Sequence, residues 1–72
     1  MNRLDIHSLS EANDQIALIM AISQSEVLAK KMDLYSGLAK ENDVRDFFRK
    51  RSILMKQTVD QLRKELDRLG GS

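Results

Sequence analysis

The sequence contains no cysteine, proline or tryptophan, and it has only three glycines and one histidine among 72 residues. Without cysteine, the chain has no disulfide, no thiolate metal ligand and no cysteine nucleophile. The absence of proline, with glycine confined to positions 37, 70 and 71, suits long uninterrupted helices. A chain this short forms at most one domain, and its core is marginal unless it self-associates.

The sequence also lacks a strong net charge and a long apolar run. Its formal charge is +1, from 12 basic and 11 acidic residues, so no strong field attracts nucleic acid or anionic lipid. The longest apolar run covers residues 16–22, whereas a membrane-spanning helix needs about 20 apolar residues. The first residues lack the apolar core and cleavage site of a secretory signal. We therefore expect a cytoplasmic protein with no membrane span.

The second half of the chain carries one apolar stripe at helical spacing. Its members recur every three, four or seven residues, and they are Val44, Phe48, Met55, Val59, Leu62, Leu66 and Leu69. This spacing predicts an amphipathic helix over residues 43–69, with Phe47 and Leu54 widening the stripe. A single helix cannot bury such a stripe, so a partner helix is required.

The first half predicts that partner over residues 9–40, after a lead-in of residues 1–8, with Ser8 and Ser10 as competing caps. This helix has two apolar lines. The first line is Leu9, Ile16, Met20, Ser23, Val27, Leu34 and Leu38. The second line is Ala17, Ala21, Leu28, Met32, Tyr35 and Ala39. One neighbour accounts for one line, so two lines imply two neighbours.

A turn at residues 41–43 joins the helices, where Asn42 tolerates the left-handed conformation that ends a helix and Asp43 is a good cap for the next helix. Residues 70–72 are expected to form the C-cap and tail. Gly37 has two open explanations, a close backbone approach or the start of fraying. The predicted fold is a single all-α domain, a two-helix antiparallel hairpin.

In that hairpin the first apolar line is expected to face the second helix. Val27 then lies opposite Met55, Met20 opposite Leu62, and Leu34 near Phe48. The second line points outward, and we predict that it dimerises the hairpin into a four-helix bundle. The predicted oligomer interface is Ala17, Leu18, Ala21, Ile22, Leu28, Met32, Tyr35 and Phe47.

No group of residues in the sequence indicates catalysis. The only histidine, His7, lies in the lead-in. A carboxylate-bridged metal pair requires a Glu-x-x-His motif, but position 29, three residues after Glu26, is alanine. There is no glycine-rich phosphate loop. We therefore predict no catalytic, metal or cofactor-binding residue, and a protein that is not an enzyme.

A basic cluster occupies residues 45–56. Its members are Arg45, Arg49, Lys50, Arg51 and Lys56, and they are candidates for contact with an anion or an acidic partner. Acidic side chains at Asp33, Glu41, Asp43 and Asp46 lie nearby in the predicted register, and aromatic residues are few. A solvated basic face is therefore the favoured interpretation, and a nucleic-acid site is the weaker one.

The second half resembles a family of very short helical-hairpin proteins of unknown function from endospore-forming bacteria. The resemblance rests on Tyr35, the acidic turn at 41–43, the run at 44–48, the segment at 59–62, and the apolar positions Leu66 and Leu69. It departs from the family at Glu65, where arginine is usual, and in the Gly-Gly-Ser tail. It implies a hairpin fold and an association with sporulation. The chain is also similar to half of a ferritin-like bundle without its metal ligands.

These observations predict a non-enzymatic structural or adaptor hairpin that acts through self-association and contacts with other proteins. One alternative is a subunit of a helical filament or needle, with Ile53, Leu18 and Ile22 forming unlike patches. The other alternative is a small nucleic-acid-binding regulator that uses the basic face at 45–56.

Overall fold

The structure, a computed structural model, describes residues 6–70, with side chains from residue 13 onward. Helix α1 spans Ile6–Leu38 and helix α2 spans Asn42–Arg68. The short connection at residues 39–41 turns the chain back on itself, and the resulting rod measures 62 × 19 × 14 Å. The predicted all-α antiparallel hairpin is thus confirmed.

The start of α1 differs from the prediction. The backbone is already helical at Ile6, so Ser8 and Ser10 both lie inside the helix and neither is its cap. Residues 6–8 therefore belong to α1 and not to a lead-in. The predictions for residues 1–5 and 71–72, and for the His7 side chain, fall outside what the structure describes.

The turn also differs in detail. Helix α1 ends at Leu38, and Glu41 is the N-cap of α2 without a side-chain capping hydrogen bond. Asp43 lies in the first turn of α2, where its charge still favours the positive end of the helix. Asn42 begins α2, and no non-glycine residue in the described range has a positive φ. The chain therefore leaves α1 without using the left-handed conformation that Asn42 tolerates, and the prediction of Asp43 as the cap of α2 is wrong because Glu41 occupies that position.

The two described glycines have different environments. Gly70 has φ +79°, and its N–H donates to the Asp67 carbonyl at 2.9 Å, so it leaves α2 in the left-handed conformation one residue after the C-cap, Leu69. Gly37 lies one residue before the end of α1, and a Cβ there would meet nothing within 4 Å. It therefore marks no close backbone approach within the hairpin.

The helices meet along a seam with strict heptad spacing, in alternating steps of three and four residues. On α1 the seam is Gln15, Leu18, Ile22, Ser25, Ala29, Met32, Ser36 and Ala39. On α2 it is Arg45, Phe48, Ser52, Met55, Val59, Leu62, Leu66 and Leu69. Ile22, Val59 and Leu66 form the buried cluster, with Leu18 and Leu62 packed against it. This spacing is typical of a two-stranded coiled coil.

The predicted stripe of α2 therefore faces α1 as expected, apart from Val44, which is 41% exposed. The predicted partner line on α1 is wrong. Ile16, Met20, Val27, Leu34 and Leu38 point away from α2 and are 49 to 70% exposed. Leu18 and Ile22, which were expected to point outward, lie in the seam. The lengthwise alignment is nevertheless close to the predicted one, because α1 is rotated about its axis and not shifted along it.

Small and polar seam residues near the turn explain this error. Ala29, Ser36 and Ser52 are all buried, and Ser52 is only 1% exposed. The Ser52 hydroxyl donates to Asp33 Oδ1 at 2.5 Å and lies 3.4 Å from the Ala29 carbonyl oxygen. Small side chains allow the two helices to approach, and the hydroxyls are satisfied by hydrogen bonds. Hydrophobicity alone therefore points to the wrong face of α1.

Polar contacts across the seam fix the register at both ends. At the open end, Gln15 Nε2 donates to the Leu69 carbonyl at 3.1 Å. At the turn, the Ser36 hydroxyl donates to the Arg45 carbonyl at 3.2 Å, and Arg45 Nη2 donates to the Ala39 carbonyl at 3.3 Å. A shift of one helix along the other would break these bonds and bury polar groups without partners.

Candidate functional site

One edge of the hairpin carries ion pairs between the helices. Arg63 Nη2 contacts Glu26 Oε2 at 2.6 Å, and Lys56 Nζ contacts Asp33 Oδ2 at 3.1 Å. The two pairs are seven residues apart on each helix, as expected for positions that flank a heptad seam. All four side chains are roughly half exposed, so the pairs fix orientation more than they add stability.

These contacts shift the protonation of two carboxylates. The hydrogen bond from Ser52, followed by the contact with Lys56, lowers the pKa of Asp33 below its ordinary 3.8. A hydrogen bond from Arg68 lowers the pKa of Glu65 below its ordinary 4.5, and Glu65 in turn raises the pKa of Arg68. Both carboxylates are ionised at neutral pH, and Glu65 lines a shallow depression of about 300 Å³ whose other walls include Asp14 and Arg68.

We expect the Asp33 contacts to stabilise the fold above about pH 3.8 and to be lost as the pH falls through the lowered pKa of the folded state. Asp33→Asn should therefore lower the thermal midpoint by a few degrees at neutral pH, and the difference from wild type should shrink as the pH falls through the lowered pKa of Asp33. Thermal unfolding followed by circular dichroism between about pH 7 and pH 2.5 measures this. Asp60→Asn, at an exposed position, is the control. A difference that grew on acidification would contradict the assignment.

The opposite edge is apolar. Leu28 and Tyr35 of α1 and Val44, Phe47 and Leu54 of α2 are all more than 40% exposed there. We call these five residues the apolar edge. The Tyr35 and Phe47 rings each pack edge-on against Phe48, with ring centroids 5.4 Å apart in both cases. The Arg51 guanidinium lies 5.3 Å from the centre of the Phe47 ring. The hairpin thus presents fixed aromatic surface beside its seam.

A second exposed apolar surface lies on the back of α1. Ile16, Met20, Val27, Leu34 and Leu38, which we call the outer stripe, recur with the period of the helix on the side of α1 opposite the seam. Helix α1 therefore has apolar residues on two opposite sides, and α2 covers only one of them. The back of α2 is polar apart from Ile53, which is 49% exposed.

A shallow depression interrupts the outer stripe near its middle. It has a volume of about 380 Å³ and is lined by Ser23, Gln24, Val27, Leu28 and Lys31. Valine and leucine supply an apolar floor, and the other three residues supply a polar rim. A depression between residues i, i+3, i+4 and i+7 of one helix is the kind of hole that receives a side chain from a second helix.

The eight residues of the predicted oligomer interface divide between two environments. Leu18, Ile22 and Met32 lie in the seam within one hairpin. The other five lie on the side of the apolar edge: Leu28, Tyr35 and Phe47 belong to that edge, and Ala17 and Ala21 lie beside it. All of them except Ala21 are exposed. The sequence pattern placed the members of the outer stripe against α2 and therefore did not identify them as outward-facing residues. The missed signal is the heptad spacing of residues 15–39, which matches that of residues 45–69.

The five residues of the basic cluster do not converge on one surface. Arg45 is half-buried at the turn, Lys56 pairs with Asp33, and Arg51 lies over Phe47. Arg49, Lys50 and Arg51 are consecutive, so their side chains point about 100° apart around α2. An extended nucleic acid backbone would meet only some of these charges at once.

The described residues contain no group of three or more histidine, cysteine, aspartate and glutamate side chains that could hold a metal ion. Within the same part of the chain, neither helix is both long enough and apolar enough to cross a membrane.

No family model, curated protein or solved structure matches this chain. The resemblances to the endospore-former hairpin family and to half of a ferritin-like bundle therefore stay predictions. The outer stripe and the apolar edge are the two large apolar surfaces that the described hairpin leaves exposed.

Proposed function

We propose that this chain is a non-enzymatic helical hairpin of the cytoplasm that acts through protein–protein contacts, as a structural or adaptor component. Its first partner is a second copy of itself, and two hairpins associate into a four-helix assembly. The observation that carries this proposal is the exposed apolar surface formed by the outer stripe and the apolar edge. The polar back of α2 gives this surface a clear boundary.

The size of that surface supports association. Ten large apolar side chains, those of the outer stripe and the apolar edge, are each between 41 and 70% exposed. At roughly 200 Å² for each full residue surface, the outer stripe exposes roughly 600 Å² and the apolar edge roughly 450 Å², and each is comparable to the largest patch on a typical monomer, about 300 to 600 Å². Excess apolar surface of this kind is characteristic of interfaces between proteins.

The limited core of one hairpin supports the same proposal. Only four hydrophobic residues in the described range are buried, namely Ile22, Ala29, Val59 and Leu66. Chains below about 80 residues rarely obtain more than about 3 to 5 kcal/mol from a single core, and this chain has no disulfide to add to it. Burial of the outer stripe against a second copy would add apolar contacts that a lone hairpin lacks.

The two alternatives receive less support. A filament needs unlike complementary patches, but the exposed apolar residues of the back of α2 are limited to Ile53. A nucleic-acid regulator needs converging cations, and the basic cluster diverges around α2 with Arg45 and Lys56 already paired. A closed assembly of a few copies is therefore the favoured form.

Molar mass in solution tests the proposal. We expect sedimentation equilibrium and light scattering to give about twice the 8.3 kDa of one chain at micromolar concentration, in about 0.15 M salt. The thermal midpoint should rise with protein concentration, because folding and association are linked. A single 8.3 kDa species at every concentration, with a constant midpoint, would refute self-association. A mass that increased without limit would favour the filament.

A further inference from the structure

The outer stripe is symmetric about Val27 in its spacing. Met20 and Leu34 are each seven residues from Val27, and Ile16 and Leu38 are each eleven residues from it. A two-fold interface brings the same surface of both copies together, so the contact must be complementary to itself. When two α1 helices run antiparallel with Val27 at the axis, Ile16 meets Leu38, Met20 meets Leu34, and Val27 meets Val27.

We infer that the occupant of the outer stripe is a second copy of this chain, bound with its α1 antiparallel to α1 of the first copy and with Val27 on the two-fold axis. This inference rests on the proposed self-association and specifies the surface and the orientation that produce it. The apolar edge then lies beside this contact, where Tyr35 and Leu28 extend it.

The charges on α1 favour this orientation over a parallel one. In a parallel pair, Lys30 and Lys31 would each lie against the same lysine of the second copy, and like charges at such a contact repel. In the antiparallel pair, Lys31 lies opposite Ser23 and Gln24, which are neutral. Glu26, which also pairs with Arg63 of its own hairpin, lies about 3 Å along the axis from Lys30 of the second copy, on the same side of the contact. The two-fold axis repeats this arrangement, so the antiparallel dimer contains two pairs of Glu26 and Lys30 beside the axis.

The depression on α1 lies where this arrangement needs a hole. Its lining includes Val27 itself, with Ser23 and Gln24 before it and Leu28 and Lys31 after it. Val27 of the second copy enters this depression from the opposite side, and by symmetry it offers its own depression in return. The polar rim of serine, glutamine and lysine remains near solvent at the margin of the contact.

The area available is sufficient for a stable dimer. With about 200 Å² for each full residue surface, the five exposed fractions of the outer stripe amount to roughly 600 Å² per copy. Leu28 and Tyr35, both 42% exposed, raise this to roughly 750 Å², close to the roughly 800 Å² that a standard interface buries on each partner.

Single-cysteine crosslinking tests the arrangement, because the chain has no cysteine of its own. Under mild oxidation, we expect Val27→Cys to form disulfide dimers about 100-fold faster than Ile53→Cys, because effective concentrations within a complex are millimolar. Met20→Cys and Leu34→Cys should each crosslink slowly alone and rapidly when the two variants are mixed. Two cysteines form a bond only when their Cα atoms lie within about 7 Å, so the pattern reports register directly.

The outcomes separate this inference from the proposed function. Rapid crosslinking of Met20→Cys alone would indicate a parallel pair and overturn the inference. A dimeric mass for all variants, with Val27→Cys no faster than Ile53→Cys, would overturn the inference and leave self-association standing. A monomeric mass for the unmodified protein would overturn both. Circular dichroism of each variant verifies that the hairpin is folded before crosslinking is compared.

Discussion

Ile22→Asp is expected to abolish cooperative folding of the hairpin. Ile22 is 8% exposed and lies in the buried cluster with Val59 and Leu66. The change removes about 2 kcal/mol of apolar burial and places a carboxylate without a partner in the seam, at a cost of several kcal/mol more. The total is about equal to the whole stability expected for a domain of this size. Urea unfolding followed by circular dichroism measures the loss.

Two further aspartate variants make this a test of which face of α1 meets α2. Ile53→Asp lies on the polar back of α2 and should leave the folded hairpin nearly unchanged. Ile16→Asp, at a residue that is 55% exposed, should retain a helical hairpin while weakening association. If Ile16→Asp unfolded the chain as completely as Ile22→Asp at the same protein concentration, with both variants monomeric, the face predicted from hydrophobicity would be the correct one.

Helix α2 could be predicted from the sequence because it is apolar on one side only. Six of the seven residues of its predicted stripe lie in the seam, and the exception is Val44, beside the turn. A helix with one apolar side and one charged side has only one orientation that buries the first and exposes the second. A short polar turn between this helix and a second long helix was then enough to predict an antiparallel hairpin.

The orientation of α1 could not be predicted from hydrophobicity because two of its sides are apolar, and the one that packs against α2 is the less apolar. Ser36 and Ala29 occupy buried seam positions, whereas Leu34 and Leu38 are 59 and 70% exposed. A hydrophobicity ranking therefore places the leucines in the seam. Matching the heptad spacing of both helices would have identified the seam, since each continues in steps of three and four without interruption.

The basic cluster shows a related limit. Closeness in sequence predicted closeness in space for Arg45, Arg49, Lys50, Arg51 and Lys56, but a helix distributes consecutive residues around its axis. Arg45 and Lys56 are engaged within the hairpin, by the Ala39 carbonyl and by Asp33. Those contacts depend on the tertiary pairing, so they could not be deduced from the charges alone.

Leu34→Glu is expected to convert a dimer into a folded monomer. In the proposed antiparallel dimer, the change removes the apolar contact with Met20 of the second copy and desolvates a carboxylate, and both effects occur twice because the axis is two-fold. We expect a loss of about 4 kcal/mol, which weakens association about 1,000-fold. Sedimentation equilibrium measures the dissociation constant. Ile53→Glu, at a similarly exposed residue on the back of α2, is the matched control and should remain dimeric.

A compensating charge then tests the antiparallel orientation without any crosslink. In Met20→Lys with Leu34→Glu, each lysine faces a glutamate of the second copy when the α1 helices are antiparallel, and association should recover about tenfold or more relative to Leu34→Glu alone. The two positions are 14 residues apart, about 21 Å along one helix, so they cannot pair within a chain. Met20→Glu with Leu34→Glu places like charges together and should stay monomeric. Equal association of the two double variants would show that Met20 and Leu34 do not meet.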